Sequence, residues 1–507
     1  MVVGAGMGGL AAAIDLAAAG MEVTVVERAP APGGKMREVE VAGQAIDAGP
    51  TVFTMRWVFE SLFADAGAVF GDHLVLEPAT TLARHAWGAD ERLDLFVDRA
   101  RSADAIGDFA GAAAAKGYLA FCKEARGIYE LLERPHIRAA RPGTAKLVAG
   151  VGLFRALKLK PYEPLWTELR KHFKDPRLLQ LFGRYATYCG TDPFQAPATL
   201  MLVAHVEQEG VWLVQGGMHR VAKAMEALAI GLGVTFRYGT GVSEIMVASG
   251  RAVGVRLPGT EVIHADAVIM NGDPGALRLG LLGNGARAAT APPLKFPQRS
   301  LSATTWAMLA DTSGMPLLRH TVFFSSDYRL EFKMIQNGLL PTEPTTYICA
   351  QDRPDSETDA PPNGPERLLM LVNAPAAGDR RAFSQVEIDQ CMQGISSVLQ
   401  RCGVQITATE PPVLTTPAMY HRMYPASGGA LYGQAVLIGS AGLKRPDSRT
   451  KLDRLYLAGG SCHPGAGVPM AALSGRQAAA SALTDLVHHG STRKYRQAAT
   501  LGGTSTR

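Results

Sequence analysis

Three glycines and one acid carry the first chemical signal in this 507-residue chain. Gly4, Gly6 and Gly9 stand as G-x-G-x-x-G in "MVVGAGMGGLAAAIDLAAAGMEVTVVE", and Glu27 closes the stretch. Glycines at this spacing let a backbone turn sharply, approach a pyrophosphate and pack a helix close on a sheet. An acid about twenty residues on can accept hydrogen bonds from ribose hydroxyls. A helix beginning in the loop adds free N–H groups and partial positive charge for phosphates.

The elements that must position these residues are legible around them. Leu10 to Ala19 is rich in alanine and leucine, a helix-forming composition, and Gly20 stops it. Met21 to Val26 then reads as a buried strand ending at the acid. The competing reading is an export signal, which needs a basic start and an uninterrupted apolar run. No Lys or Arg precedes the apolar stretch, and Asp15 sits in its middle. The phosphate loop is the better reading. Only Met1, Val2 and Val3 precede Gly4, fewer than the five or six residues of an ordinary strand, so the first strand is short or the native chain is longer.

A second glycine pair, Gly33-Gly34, follows the acid within "RAPAPGGKMREVEVAGQAIDAGPTVFT". A minimal nicotinamide site does not need it, whereas a longer cofactor such as FAD has backbone lying along it. Near the other end, "RLYLAGGSCHPGAGVPMAALSGRQAAASALTDL" repeats the pattern: a strand at 455–457, a glycine-rich loop, and a helix from about Val468. A second helix N-terminus of this kind could face the other end of the same cofactor. Between them, a glycine-bounded helix is expected from about Met218 to Ala229. Strands at 242–247, 252–257 and 261–270 follow it, separated by Ser249-Gly250 and Gly259-Thr260. They form a meander leading back to the nucleotide-binding sheet. Residues 53–202 read as mostly helical.

Composition bounds the rest. At 47% hydrophobic and 19% charged the chain is globular with a sizeable core. A mean hydropathy of +0.05 is on the high side, which suits an apolar ligand or a membrane surface. The six cysteines show neither C-x-x-C nor zinc spacing, so they read as reduced thiols of a cytosolic protein. No metal site is expected, the His488-His489 pair reading as solvated. No stretch has transmembrane character.

The net charge of +5 argues against a nucleic-acid binder. Its distribution matters more: Arg138 to Arg184 holds eleven basic residues against three acids, a local +8. Within "AKLVAGVGLFRALKLKPYEPLW", Leu147, Val151, Phe154 and Leu157 can share one helix face. That pattern fits either a solvated helix on the core or peripheral attachment to anionic lipid.

Three segments together, "VVGAGMGGLAAA" with "DAGPTVFT", "VWLVQGGMHRVAKAM" and "HPGAGVPMAALSG", resemble the phytoene desaturase-like flavoproteins of bacterial carotenoid synthesis, over nearly the whole chain. "LFGRYATYCGTDPFQAPATLM", "YICAQDRPD" and "LVNAPA" are similar to the 1-hydroxycarotenoid 3,4-desaturase branch of photosynthetic bacteria. The resemblance implies an α/β fold. In it, a Rossmann-like FAD domain is assembled from residues 1–75, 205–280 and 450–490. An inserted α+β domain of residues 76–204 and 281–449 holds a long polyene, and residues 491–507 form a disordered tail.

Carried over by position, Gly4, Ala5, Gly6, Met7, Gly8 and Gly9 would meet the pyrophosphate and Glu27 the adenosine ribose. Arg28, Gly33, Gly34 and Lys35 would line the cofactor, with Gly49, Pro50 and Thr51 near its flavin side. Val242 would meet adenine through its backbone. Gly459, Gly460, Val468, Pro469 and Met470 would hold the ribityl–flavin end. One departure stands out: related enzymes often carry Gly-Asp where this chain has Gly460-Ser461.

The implied reaction is insertion of a C3–C4 double bond into a 1-hydroxy acyclic carotenoid, with oxygen or a quinone as terminal acceptor. The implied location is peripheral, on the cytoplasmic side of the inner membrane. Arg184, His205 and Glu207 lie in suggestive segments, yet no residue type or spacing singles out a general base. Another phytoene desaturase-like carotene desaturase, an amine-oxidase-like flavoprotein and a lipid escort without chemistry are the alternatives. An intact phosphate loop and Glu27 argue against the escort.

Overall fold

A computed structural model describes residues 1–140, 159–354, 362–439 and 445–488. Its first layer is a five-stranded parallel sheet in the spatial order Leu455–Ala458, Val268–Asn271, Val2–Val3, Thr24–Val26, Thr235–Arg237. Residues far apart in the chain become neighbours there. Val2 pairs with both Val25 and Ile269, and Ile269 with Tyr456. Strands buried on both faces are apolar throughout, which explains the short runs of Val, Ile and Leu.

Three helices pack on this sheet: Met7–Ala18, His219–Gly231 and Val468–His488. Leu10, Ala11, Ile14, Val221, Met225, Ala478 and Ala482 are buried with Val2, Val25 and Ile269 in one core. Asp15, the charge inside the apolar opening, lies 3.0 Å from Arg476 of the closing helix. The meander follows as Glu244–Ala248, Arg251–Arg256 and Val262–His264. The single run expected over 261–270 is broken after His264, and its second half, Val268–Asn271, joins the parallel sheet.

The second layer is a mixed sheet in the order Val404–Ala408, Ser302–Gly314, Glu366–Ala374, Thr346–Ala350, His320–Phe323, Thr81–Ala86, Arg92–Phe96. Val413–Thr415 pairs at the side of its longest strand. Helices Ala112–Leu132, Leu165–His172 and Pro176–Gly183 cover one face, with Tyr118, Phe121, Phe173 and Phe182 packed against Val322 and Phe324.

Thr81–Ala86 and Arg92–Phe96 fall inside the stretch whose sequence reads as helical. Their strand pattern is masked because Arg84 is buried, where only a partner makes a charge tolerable. Its guanidinium grips Asp94 through two bonds of 2.9 and 2.8 Å across the strand pair. Most of the basic amphipathic stretch, 141–158, lies outside the described residues, as do the expected tail and His489. Of the basic residues described, Lys160 and Lys171 both pair with the buried Glu168, and Arg177 pairs with Asp175 and Glu91.

Candidate active site

The opening loop is shaped by close backbone approach. Gly4 adopts a φ of +100°, and a Cβ on Gly9 would fall 2.0 Å from the Gly4 carbonyl oxygen. Gly6 caps the first helix without any side-chain acceptor for its leading amides, so those amides stay available to an anion. Glu27 is fixed beside them: its carboxylate accepts from Ala5 N at 2.7 Å and Ala29 N at 2.8 Å. An ionised carboxylate has about four lone-pair sites, which leaves capacity for ribose hydroxyls. The uncapped turn and the partly used carboxylate fit a dinucleotide.

The next stretch folds back on this loop. Gly33 N donates to Ala5 O at 2.8 Å, and a Cβ on Gly34 would sit 3.1 Å from Gly6 Cα. Gly49 lies against Lys35, where a Cβ would be 2.1 Å from the Lys35 carbonyl oxygen. Lys35 Nζ donates to Leu431 O at 2.5 Å and Ala430 O at 3.2 Å. Burial lowers its pKa to about 8, opposed by the Asp273 charge. Pro50 and Thr51 follow Gly49 directly, and Thr51 Oγ1 lies 2.7 Å from the Tyr347 hydroxyl. Arg28 reaches outward to Arg422 O at 3.3 Å. Val242 is near it at the rim, where Gly241 abuts Arg28 and Thr240 N bonds Glu27 O at 3.0 Å.

The closing loop completes the ring. A Cβ on Gly8 would meet Gly459 N at 2.8 Å and Ala471 O at 2.9 Å, so Gly459 and the first turn formed by Val468, Pro469 and Met470 abut the opening glycines. Gly460 O accepts from Arg445 Nη1 at 2.8 Å, and the same nitrogen donates to Tyr432 O at 2.6 Å. Ser461 stands where the resemblance leads one to expect an acid, and the structure brings one to it from another segment: Ser461 Oγ donates to Asp273 Oδ2 at 3.0 Å. The Cys462 thiol is buried, which pushes it up to about 12. His463 Nε2 lies 2.8 Å from Ala139 O, and burial lowers its pKa.

Comparison with known proteins identifies this arrangement. Residues 156–483 match the flavin containing amine oxidoreductase family, and residues 2–65 match an NAD(P)-binding Rossmann-like domain. The chain belongs to the flavin-containing amine oxidoreductases. The hydroxyneurosporene desaturase of Rubrivivax gelatinosus is 53% identical over 100% of this chain and 97% of its own. The enzyme of that name from Cereibacter sphaeroides is 44% identical, with 96% and 97% covered. The chain therefore also belongs to the hydroxyneurosporene desaturase family, and its cofactor is FAD, as the sequence leads one to expect. Among solved structures, an oxidoreductase from Methanosarcina mazei shares the fold, with a TM-score of 0.58 at 15% identity over 94% of this chain and 98% of that one.

In this flavoprotein, three further residues tie the segments together that motif reading missed. Asn271, at the end of a sheet strand, donates to Gly4 O at 3.3 Å, and Cβ atoms added at Gly6 or Gly459 would strike its amide. Ser474 Oγ accepts from Gly459 N at 3.1 Å. Arg445 holds the closing loop to the Tyr432 backbone. The glycine-rich "SGGALYGQ" over 427–434 was the available signal for that last contact, and "NGDPG" for Asn271 and Asp273.

Behind Thr51, through its contact with Tyr347, lies a cluster of polar side chains. Arg184, Tyr188, Cys189, Tyr347 and Tyr432 each keep part of their surface accessible, although burial raises the pKa of the four hydroxyl and thiol groups. Arg184 Nη1 donates to the Tyr188 hydroxyl at 2.7 Å, and its guanidinium lies 4.9 and 5.4 Å from the Tyr188 and Tyr347 ring centroids. Tyr185 donates to the buried Glu207 at 2.6 Å. Two of the three suggestive residues of the sequence, Arg184 and Glu207, thus converge. His205 does not: it packs on Tyr129, and its Nε2 lies 3.4 Å from the exposed Glu209.

Proposed function

We propose that this enzyme introduces the C3–C4 double bond into 1-hydroxy acyclic carotenoids such as 1-hydroxyneurosporene. The observation that carries the reading is full-length identity of 44–53% to hydroxyneurosporene desaturases, together with a three-segment ring of glycine loops closing on Glu27. In it, residues 1–75, 205–280 and 450–490 hold FAD, and 76–204 with 281–449 hold the polyene.

Gly4 to Gly9 and the first helical turn would hold the pyrophosphate. Glu27 would hold the adenosine ribose, with Arg28 and Val242 at the adenine end. Gly33, Gly34, Lys35 and Gly49 to Thr51 would line the middle, and Gly459, Gly460 and Val468 to Met470 the flavin end. When bound, the flavin supplies the two-electron oxidising power. The protein supplies orientation and dryness. C4 of the substrate is allylic to the polyene, so loss of its hydrogen with the bonding pair leaves a delocalised cation, and loss of a proton from C3 completes the double bond.

The placement of Arg184 also speaks against an amine as substrate. Tyr188 and Tyr347 present ring faces, but Arg184 already lies over both, and a second cation there would be repelled. A carotenoid dissolves in membrane, so the substrate favours peripheral attachment, which we place at the cytoplasmic face of the inner membrane. Among the described residues no helix is long and apolar enough to cross a bilayer.

The test is to incubate the FAD-loaded protein with 1-hydroxyneurosporene in liposomes and record the extracted pigment. A red-shifted product two hydrogens lighter, with the new bond at C3–C4, is expected. Unchanged pigment from flavin-loaded protein would reject the assignment.

A further inference from the structure

Two cations, Lys35 and Arg445, meet in the interior at the closing side of the glycine ring. Lys35 Nζ is held by Ala430 O and Leu431 O and lies 5.3 Å from the Tyr424 ring centroid. Arg445 is 8% exposed. It donates to Tyr432 O and Gly460 O through Nη1, and to Gln434 O at 2.7 Å through Nη2. One loop, 430–434, therefore offers its carbonyls to both cations. The same loop touches the closing segment, since a Cβ on Gly433 would fall 2.7 Å from Ser461 Oγ.

This arrangement is costly. Carbonyl dipoles solvate a cation without neutralising it, and like charges in a poorly solvated place raise each other's cost. Lys35 registers this: burial foremost, and the Arg445 charge with it, bring its pKa down to about 8, while the Asp273 charge opposes them. At neutral pH it still carries its proton. Among the described residues no carboxylate is bonded to either cation, and Asp273 is the acid tied to this corner. Its Oδ2 accepts from Ser461 Oγ, next in the chain to the Gly460 that Arg445 grips, and its Oδ1 accepts from Gly275 N at 2.9 Å. Asp447, two residues past Arg445, turns instead to the Arg449 amide at 2.9 Å. The corner thus holds two positive charges against one negative. Surplus positive charge in an interior calls for an anion.

FAD has two places where negative charge can reside, its pyrophosphate and the ring system that takes up electrons. The pyrophosphate has its own partner in the uncapped first turn of the opening helix. The Lys35–Arg445 corner lies with Gly460, at the end assigned to the flavin, and a Cβ on Gly460 would meet nothing within 4 Å. Gly460 therefore faces open space. An acceptor of hydride gains one negative charge as it is reduced. Cations already clamped by carbonyls meet that charge without reorganising, which is the condition for a large electrostatic effect.

We propose that Arg445 and Lys35 supply the fixed positive charge that meets the negative charge FAD takes up from the substrate, with Asp273 moderating it. This rests on the cofactor placement proposed above. The step balances: the C4–H bond breaks, both of its electrons and the hydrogen nucleus leave carbon together, and the cofactor's charge changes by minus one. No proton moves at Arg445, Lys35 or Asp273. Their part is to raise the reduction potential of the bound cofactor.

The test is the reduction potential of the FAD-loaded protein at pH 7, read by equilibration with a reference dye. Arg445→Met and Lys35→Met each remove a positive charge, Asp273→Asn removes the negative one, and Arg445→Lys keeps the charge while losing the planar clamp. Flavin content per chain verifies that each variant is folded. One interior charge is worth roughly a tenfold change in the oxidised-to-reduced ratio, or about 30 mV for a two-electron couple. Arg445→Met and Lys35→Met should lower the potential by about that much, Asp273→Asn should raise it, and Arg445→Lys should stay near the parent. A packing lesion carries no sign, so Asp273→Asn moving the potential in the same direction as Arg445→Met overturns the proposal. Variants that bind FAD more weakly at an unchanged potential also overturn it, because the cations then serve the pyrophosphate, whose charge is the same before and after reduction. Variants that change neither potential nor affinity reject the cofactor placement itself. The measurement uses no carotenoid, so a parent that leaves 1-hydroxyneurosporene unchanged rejects the assigned reaction and leaves the opposed shifts as evidence for this charge site.

Discussion

Gly475 of the closing helix lies directly on the carbonyl of Gly8 in the opening helix: a Cβ at Gly475 would fall 1.9 Å from the Gly8 oxygen. More than 450 residues separate the two in sequence, and their contact sets how closely the first and last glycine loops approach. Side chains cannot move aside here, because the obstruction is backbone. Gly475→Ala should therefore push the helices apart and cost about 1–3 kcal/mol, with Gly475→Val worse. The thermal midpoint of the FAD-loaded protein and its flavin retention should fall together. A Gly475→Ala variant with parental midpoint and flavin content would contradict this packing.

Glu27 offers a separate test of the proposed cofactor site. Both of its oxygens are held by backbone amides, so the loop itself fixes the carboxylate. Hydrogen bonds to charged groups are worth about 1.5–3 kcal/mol, so Glu27→Ala should weaken FAD binding by at least about tenfold. Glu27→Gln, which keeps one acceptor oxygen, should weaken it less. Quenching of flavin fluorescence on titration with apo-protein measures this, and equal affinities for all three proteins would remove Glu27 from the site.

How much of this was legible beforehand follows from range. The opening glycine loop and Gly33-Gly34 announce themselves because close backbone approach imposes their residue types. Gly9 can be nothing larger while the Gly4 carbonyl crosses it. Asn271, Asp273, Arg445 and Tyr347 carry no such mark, since each reaches its partner through a fold built from distant segments. Ser461 illustrates the limit well. Read alone it is a missing acid, while in space Asp273 stands beside it. Arg184 and Glu207 could be suspected from charge in apolar surroundings, but their tyrosine partners, Tyr188 and Tyr185, needed coordinates. The Thr81–Ala86 strand was hidden by Arg84, whose partner Asp94 lies on the neighbouring strand.

The second sheet contains a buried ion pair that should dominate its stability. Arg353 and Glu366 have side chains only 5% and 1% exposed, and they meet through bonds of 2.9 and 2.8 Å. Arg353 also donates to Leu317 O at 2.7 Å, and Thr312 to Glu366 at 2.5 Å. Removing one partner strands the other charge, so Arg353→Met should cost about 3–5 kcal/mol. The double replacement Arg353→Met with Glu366→Leu should recover a large part. Denaturant midpoints provide the comparison, and a double variant no better than the single one would show that lost packing, not the stranded carboxylate, accounts for the cost.

Glu331 makes stability depend on pH in a direction opposite to the usual carboxylate. Burial pushes its carboxyl up to about 7, against the pull of hydrogen bonds from Thr345 and Ser325. Between the unfolded value, about 4.3, and about 7, the folded protein holds a proton that the unfolded chain has released. Stability contributed by this group is therefore full below the lower value and lost as pH rises through the window, by about 4 kcal/mol in total. Glu331→Gln keeps a neutral group of the same shape with an oxygen for Thr345 and Ser325. It should match the parent near pH 4, exceed it at pH 8, and show a flatter profile between. Denaturant midpoints across this range decide the matter: if parent and variant change in parallel with pH, the proton is not held by Glu331.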